Sequence, residues 1–154
     1  MSQPATINPR IIEGLYAEAL ILSDEVRAAF DLSTRIESAA RDEDASRVAL
    51  SCEALRTTTR MMHAIAWLLN HRAFLAGEIS EFQLRRHGRL APDYPAPDPE
   101  RMTLLAPEIR KLINTTETFY ARLLRVDRGW RSRSLAVPSA VERLRSRLGE
   151  QVRT

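Results

Sequence analysis

Three histidines and one cysteine are the side chains of this 154-residue chain best suited to hold a metal ion or attack a substrate. A di-iron helical bundle places a glutamate three residues before its histidine ligands. An arginine or a leucine stands at that spacing before His63, His71 and His87. Cys52 lies on an apolar stripe, which favours a small core residue over a reactive thiol. The five scattered glycines also build no phosphate-binding loop. The sequence therefore predicts a protein that is not an enzyme and that binds neither a metal ion nor a cofactor.

A run of arginines in the last third of the chain has the spacing of a binding surface. The predicted partner-binding residues are Arg122, Arg125, Arg128, Trp130, Arg131 and Arg133. A spacing of three places the first four arginines along one slowly drifting helical line. Guanidinium groups favour paired contacts with carboxylates or phosphates. The competing interpretation is a solvated helix face, with Glu117 and Asp127 as neighbours.

The distribution of charge supports an acidic partner for this part of the chain. Residues 1–100 carry a net charge of −4 and residues 101–154 a net charge of +7. Such a basic segment suits an acidic protein or a nucleic acid. No groove-reading motif accompanies it, so nucleic acid is the second choice. Because all but one of the basic residues are arginines, a GC-rich genome would also explain the bias.

Composition narrows the class of protein further. The single cysteine forms no internal disulfide, which favours a reduced, cytoplasmic compartment. The longest apolar run covers residues 64–69 and is far shorter than a membrane span. Residues 1–10 lack the pattern of a signal peptide. We expect a cytoplasmic protein without a membrane partner.

The spacing of the apolar residues predicts the helices that position these side chains. The first helix is predicted to begin at the Asn8 and Pro9 pair and to bury a stripe alternating by three and four. That stripe contains Ile12, Leu15, Ala19, Leu22, Val26 and Ala29. It extends through Ile36, but Thr34 and Glu37 also have the spacing of a capping box for a new helix. One long helix and a broken helix both remain open.

The second helix carries two adjacent apolar stripes, which predict a wide buried face. One stripe contains Val48, Cys52, Leu55, Thr59, Met62, Ala66, Leu69 and Ala73. The other contains Ala54, Thr58, Met61, Ile65 and Leu68. Trp67 falls beside them, at the rim of the bundle or in a dimer contact. Gly77 is predicted to end the helix.

The remaining segments alternate between short helices, a connector and a third long helix. Ser80 is predicted to cap a short helix that ends at Gly88. Residues 91–100 contain four prolines, which favour a stiff, extended connector over a proline-rich ligand. The third helix buries Leu105, Ile109, Leu112, Thr116, Phe119, Leu123, Val126 and Trp130. Gly129 falls at its predicted end, and residues 131–134 are predicted as a loop. Ser139 and Glu142 have the spacing to cap a last helix.

These elements predict an all-α, antiparallel three-helix bundle with short accessory helices. Residues 1–130 form the bundle domain, and residues 131–154 form an arginine-rich tail or short helix. Three amphipathic helices leave part of the wide second face uncovered, so a homodimer is expected.

The central helix also resembles a known family. The residues that carry the resemblance are Arg56, Thr57, Thr58, Arg60, Met62, Ala66, Trp67, Leu68, Leu69, Arg72, Ala73, Gly77 and Glu78. They are similar to those of an alphaproteobacterial family of unknown-function domains that includes the regulator of CtrA degradation. Residues 107–127 are similar more loosely. The resemblance implies a homodimeric three-helix bundle without catalytic activity. It also implies a non-enzymatic adaptor that helps the ClpXP protease take up cell-cycle response regulators, with other adaptors as partners.

Overall fold

Helices account for the regular structure of the chain. The computed structural model describes residues 6–39, 44–92, 94–135, 144–145 and 147–149. The elements are α1 (Pro9–Ala39), α2 (Asp44–Leu75), α3 (Glu81–His87), α4 (Pro99–Thr103) and α5 (Pro107–Leu135). No residue in the described ranges lies in a strand. The prediction of an all-α fold with three long helices and short accessory helices is confirmed.

The helix ends follow the predicted signals for α1, α2 and α3. The Asn8 side chain accepts a hydrogen bond from the amide of Arg10 and caps α1. Gly77 follows α2 with a φ of 78°, the left-handed conformation that glycine adopts readily. Ser80 and Gln83 form a capping box at the start of α3. The capping pair predicted at Ser139 and Glu142 lies outside the described residues.

The question left open for α1 is settled in favour of one long helix. The hydroxyl of Thr34 donates to the carbonyl of Phe30, one turn back, instead of capping a new helix. The apolar stripe of α1 is buried from Ile12 to Val26, as predicted. Ile36 is exposed, so the stripe leaves the core before the helix ends.

The three long helices do not simply alternate in direction. Arg60 and Trp67 of α2 bond to Thr116 and Asp127 of α5, so residue numbers rise together along both helices. Helices α2 and α5 are therefore parallel. Val26 and Phe30 of α1 pack with the start of α2, and Glu13 pairs with Arg72 near the end of α2. Helix α1 is thus antiparallel to α2, and by the same geometry to α5.

The proline-rich connector brings the chain back along α2, so that α5 begins near the start of α2 and runs parallel to it. Its backbone is held by side chains of the bundle at several points. Arg56 donates to the carbonyl of Ala96, and the Tyr94 hydroxyl donates to the carbonyl of Arg56. The Tyr120 hydroxyl donates to the carbonyl of Ala91. Among the described residues from 91 to 98 none lies in a helix or a strand, and α4 begins at Pro99.

The structure corrects the core face predicted for α2. Val48, Leu55, Met62 and Leu69 are exposed, so the first predicted stripe is wrong as a core stripe. The buried face of α2 contains Ala49, Leu50, Glu53, Thr57, Arg60, Met61, Ala64, Trp67, Leu68 and His71. Polar residues occupy core positions because α5 and the connector supply partners for several of them. Trp67, predicted at the rim, is also part of this buried face.

The structure also corrects the predicted end of the third helix. Helix α5 runs through Gly129 to Leu135, so the loop predicted over residues 131–134 is wrong. Trp130 is buried, and Arg131 bonds to Asp127 one turn earlier. These contacts hold the last turns of α5 against the bundle. The predicted domain boundary at residue 130 therefore falls inside a helix.

Candidate functional site

The six residues predicted to bind a partner fall into three structural classes. Arg125, Arg128 and Arg133 are exposed on α5. Arg122 and Arg131 are half-buried and bound to other side chains. Trp130 is 0% exposed, so its indole belongs to the core and not to the surface. We call the three exposed arginines the basic face of α5.

The arginines do not lie on one line but turn around the helix. Arg122 pairs with Glu18 of α1 on one side. Arg131 donates to the carbonyl of Arg85 at the end of α3 on the other side. A step of three residues turns an α-helix by about 300°, so four such positions sweep half a turn. The solvent-facing middle of this sweep is Arg125 and Arg128.

The anchored arginines fix the position of the exposed ones. Both oxygens of Asp127 accept hydrogen bonds from Nε of Arg131 at 3.1 Å. Asp127 itself is 4% exposed, and charge-assisted bonds to a buried carboxylate are stronger than those at a surface. The basic face of α5 therefore stands on a helix held at both flanks, which reduces the entropy lost when a partner binds.

Behind the basic face lies a cluster of aromatic rings around His71. Its imidazole lies 4.2 Å from the ring of Trp67 and 5.2 Å from the ring of Trp130, measured between ring centroids. Burial lowers the pKa of His71 to about 4, although the carboxylate of Asp127 opposes the shift. His71 is therefore neutral at pH 7, which fits a core residue and not an exposed ligand.

A second polar layer lies nearer the start of α2 and surrounds Arg60. The guanidinium of Arg60 donates to the hydroxyl of Thr116 at 3.0 Å and lies 5.2 Å from the ring centre of Tyr94. Burial lowers the pKa of Arg60, and Glu117 is the strongest opposing charge. Burial likewise raises the pKa of Tyr120 to about 12. This layer is closed, since Arg60 is buried beneath its neighbours.

The residues that carry the family resemblance mostly support the scaffold. Arg56 holds the connector, Arg60 and Trp67 bond to α5, and Arg72 binds Glu13 of α1 at 2.8 Å. The hydrogen bond that Arg72 donates to Glu13 raises the pKa of Arg72. The motif therefore explains how the helices pack together, since each of these four side chains bonds to another part of the chain.

An apolar surface lies on the outside of the bundle, along α2. We call it the outer seam of α2, and it consists of Val48, Cys52, Leu55, Thr59, Met62, Ala66, Leu69 and Ala73. It lies on the side of α2 opposite the buried face, because the two sets differ by about half a turn. Sequence reasoning assigned this stripe to the core. The residues of the buried face are also spaced three and four apart. Four of them are polar, so hydropathy did not mark that face as part of the core.

Two further properties describe the site. Across the described residues, no group of three or more histidine, cysteine, aspartate or glutamate side chains has an arrangement suited to a metal ion. Nor does any helix within them have the length and apolar character needed to cross a membrane.

The fold and the site define a small helical-bundle protein whose polar motif is internal and whose outer surfaces are basic on α5 and apolar on α2. The chain belongs to the family described as "Protein of unknown function (DUF1465)", whose model matches residues 3–152. Neither the curated proteins nor the solved structures contain a match to it.

Proposed function

We propose that the protein is a non-enzymatic adaptor in the cytoplasm, acting through protein contacts in the regulated degradation of cell-cycle regulators by ClpXP. The observation that carries the proposal is the basic face of α5. Arg125 and Arg128 point to solvent while Arg122 and Arg131, on either side, are anchored to the bundle. A fixed row of guanidinium groups suits an acidic protein surface.

The resemblance of the central helix supports the same assignment. The family that the central helix resembles includes an accessory adaptor for this protease. The use of the motif to join the helices fits an adaptor, because a scaffold must hold its contact residues rigidly. An adaptor of this type needs a surface for a partner and no chemistry of its own.

A reconstituted degradation assay tests the proposal. Purified ClpXP and a cell-cycle response regulator are combined, with the other adaptors present, and the loss of the regulator is followed with and without this protein. We expect faster degradation with the wild-type protein and loss of that effect with Arg125→Glu/Arg128→Glu. Arg27→Glu is the matched control, since Arg27 is an exposed arginine on α1.

Each result of the assay has a definite meaning. Unchanged degradation with the wild-type protein would overturn the adaptor assignment. An equal effect of Arg27→Glu and of the α5 double variant would show that net charge matters and that the basic face does not. Circular dichroism of each variant establishes that it folds.

The exposed arginines also favour a second candidate, a nucleic-acid-associated regulatory protein. Phosphate contacts weaken steeply as salt rises, by about one power of the salt concentration for each contact. Binding of duplex DNA is therefore measured at several salt concentrations with the same variants. Tight binding with a steep salt slope, lost in Arg125→Glu/Arg128→Glu, would move the assignment to nucleic acid.

A further inference from the structure

A small pocket opens between α2 and the turn that follows α3. Its volume is about 280 Å³. Side chains between positions 62 and 70 of α2 line one side, and residues 87–90 line the other. We call it the α2–turn pocket. Its polar side chains are His63 and Asn70 on α2, and His87 and Arg89 on the turn.

The polar groups of the α2–turn pocket all carry hydrogen-bond donors. The guanidinium of Arg89 only donates, each imidazole has at least one N–H group, and the carboxamide of Asn70 has two. Among the described residues that line the pocket, none is an aspartate or a glutamate. Within the described part of the chain, none of the four polar side chains forms a hydrogen bond or an ion pair with another residue. Donors that have no acceptor in the chain favour an anion as the ligand.

The larger groove between α1 and α5 differs in this respect. Its volume is about 510 Å³, and it also contains basic side chains, Arg110, Lys111 and Arg122. Glu18 lines the same groove and pairs with Arg122. That groove therefore contains a carboxylate that would repel an anion, whereas the described lining of the α2–turn pocket contains none.

The turn that carries His87 and Arg89 is held in place by its neighbours. Leu84 before the turn is 0% exposed and Leu90 after it is 2% exposed. The amide of Gly88 donates to the carbonyl of Leu84 at 2.8 Å. A Cβ at position 88 would lie 2.6 Å from the same carbonyl oxygen, so glycine permits this close approach. The donors of the turn are thus positioned before a ligand binds, which reduces the entropy lost on binding.

Apolar groups line the space between the donors. They belong to Met62, Ala66, Trp67 and Leu90. The indole nitrogen of Trp67 bonds to Asp127, which fixes the position of its ring. His63 and Asn70 are seven positions apart on one face of α2, or about 10 Å along the helix axis. This distance exceeds the size of a single phosphate or carboxylate group, so the pocket has room for an apolar body beside the charged group.

We infer that the α2–turn pocket binds a small organic anion, with an oxyanion head that is a phosphate or a carboxylate and with a compact apolar body. The guanidinium of Arg89 pairs with the oxygens of the head, and the imidazole and carboxamide groups supply further donors. The body displaces water from the apolar lining. The inference does not depend on the proposed function, because it concerns the purified chain alone.

The first test compares four probes by NMR titration of the isotope-labelled protein. Phenyl phosphate and benzoate each combine an oxyanion head with an aromatic body, inorganic phosphate supplies the head alone, and phenol supplies the body alone. We expect phenyl phosphate or benzoate to bind about tenfold more tightly than either part. The amide signal of Gly88 and the indole signal of Trp67 should shift with the same saturation curve.

Each outcome of the titration bears on the inference. Tighter binding of phenyl phosphate identifies the head as a phosphate, and tighter binding of benzoate identifies it as a carboxylate. Failure of both to shift the Gly88 and Trp67 signals at millimolar concentration would overturn the inference. Equal affinity for phenol and for the two anions would also overturn it, because the donors would then contribute nothing.

The second test removes the charge of the pocket. Arg89→Gln should weaken the binding of the tighter probe by about tenfold or more, because the guanidinium supplies charge-assisted hydrogen bonds. Arg86→Gln is the matched control, since Arg86 is also exposed at the end of α3 but does not line the pocket. Equal losses of affinity in the two variants would show that general surface charge attracts the probe, which would refute the assignment.

The third test fills the pocket. Ala66→Phe places a ring among the apolar lining residues and should abolish binding of the probe. Thr59→Phe is the control, since Thr59 is likewise exposed on α2 and lies outside the pocket. Circular dichroism establishes that both variants fold. Undiminished binding by a folded Ala66→Phe protein would mean that the probe binds elsewhere and would refute the inference.

Discussion

The indole nitrogen of Trp67 donates a hydrogen bond of 3.0 Å to Oδ1 of Asp127, and both residues are buried. This bond joins two parallel helices whose bonded residues are 60 positions apart in the sequence. Asp127 also accepts two bonds from Arg131. A tryptophan, a carboxylate and an arginine thus connect α2 to the last turns of α5.

Removing the indole donor should destabilise the bundle. We expect Trp67→Phe to lower the free energy of unfolding by about 1.5–3 kcal/mol or more, because a buried charged acceptor loses a partner and the ring becomes smaller. Urea unfolding followed by circular dichroism gives the value. Asp24→Asn, which breaks an exposed ion pair with Arg27, should cost about 0–1 kcal/mol. Similar losses for the two variants would argue against a structural role of the buried bond.

The stability of the protein should depend on pH through His71. Its pKa is about 4 in the folded chain and about 6.5 in an unfolded chain. As the pH falls from about 6.5 to about 4, the unfolded chain binds a proton that the folded chain excludes. The contribution of His71 is therefore fully present above pH 6.5 and decreases across that interval, by roughly 3 kcal/mol in total.

The matched variant for this effect is His71→Phe, which keeps an aromatic ring between Trp67 and Trp130. Asp127 and Arg131 are the charged groups that influence His71 from α5, and they remain in the variant. Urea unfolding is measured for both proteins between pH 4 and pH 8. The difference between the two curves should be flat above pH 6.5 and sloped below it. Parallel curves throughout would mean that His71 binds a proton as readily in the folded chain as in the unfolded chain.

Adjacent threonines on α5 offer a direct comparison of a buried and an exposed hydroxyl. Thr116 accepts from buried Arg60, whereas the exposed Thr115 bonds only to the carbonyl of Lys111 among the described contacts. We expect Thr116→Val to lower the free energy of unfolding by about 1–3 kcal/mol, because the guanidinium loses its acceptor. Thr115→Val should stay within about 0.5 kcal/mol. A reversed order, measured by urea unfolding, would contradict the buried polar layer.

Adjacent leucines on α2 separate the core from the outer seam. Leu68 is 0% exposed and Leu69 is 45% exposed. Leu68→Ala should cost about 2–5 kcal/mol, as expected for a buried leucine, whereas Leu69→Ala should cost about 1 kcal/mol or less. Both are measured by chemical unfolding. The two stripes read from the sequence place both leucines on one wide buried face, so this pair decides whether that face includes Leu69.

Two glycines should respond to alanine in opposite directions. Gly77 has a φ of 78°, where a side chain is strained, so Gly77→Ala should cost about 1 kcal/mol. Gly129 lies inside α5, and a Cβ there meets no atom within 4 Å. Gly129→Ala should therefore stabilise the protein by about 0.5–1 kcal/mol. Thermal unfolding tests both, and a lower melting temperature for Gly129→Ala would show that the helix does not continue through that position.

The sequence predicts the buried faces of α1 and α5 well because most of the residues on them are apolar. Hydropathy alone then marks the side that packs, and Ile12 and Leu123 are buried as predicted. Helix α2 differs, since Glu53, Thr57, Arg60 and His71 stand on its core face. Sequence patterns place a polar residue at the surface unless its bonding partner is known. The partner of Arg60 lies 56 positions away in the sequence, so the local pattern does not reveal it.

The site shows the same limit of local patterns. The spacing of the arginines correctly places Arg125 and Arg128 on a helix surface, but it does not reveal that Glu18 and Asp127 bind their neighbours. Gly129 and the serines after it resemble a loop in isolation. Packing of Trp130 and the bond to Arg131 outweigh those local preferences, and both depend on residues distant in sequence.

The route of the connector has a consequence for the order of folding. Helices α1 and α2 are neighbours in the chain, separated by residues 40–43, so their association costs little loop entropy. Helix α5 reaches its position parallel to α2 only after the connector has packed along α2. The bonds of α5 to Arg60 and Trp67 close loops of 56 and 60 residues. Contacts across such separations form late. We therefore expect the α1–α2 hairpin to be the first native structure, with docking of α5 as the rate-limiting step.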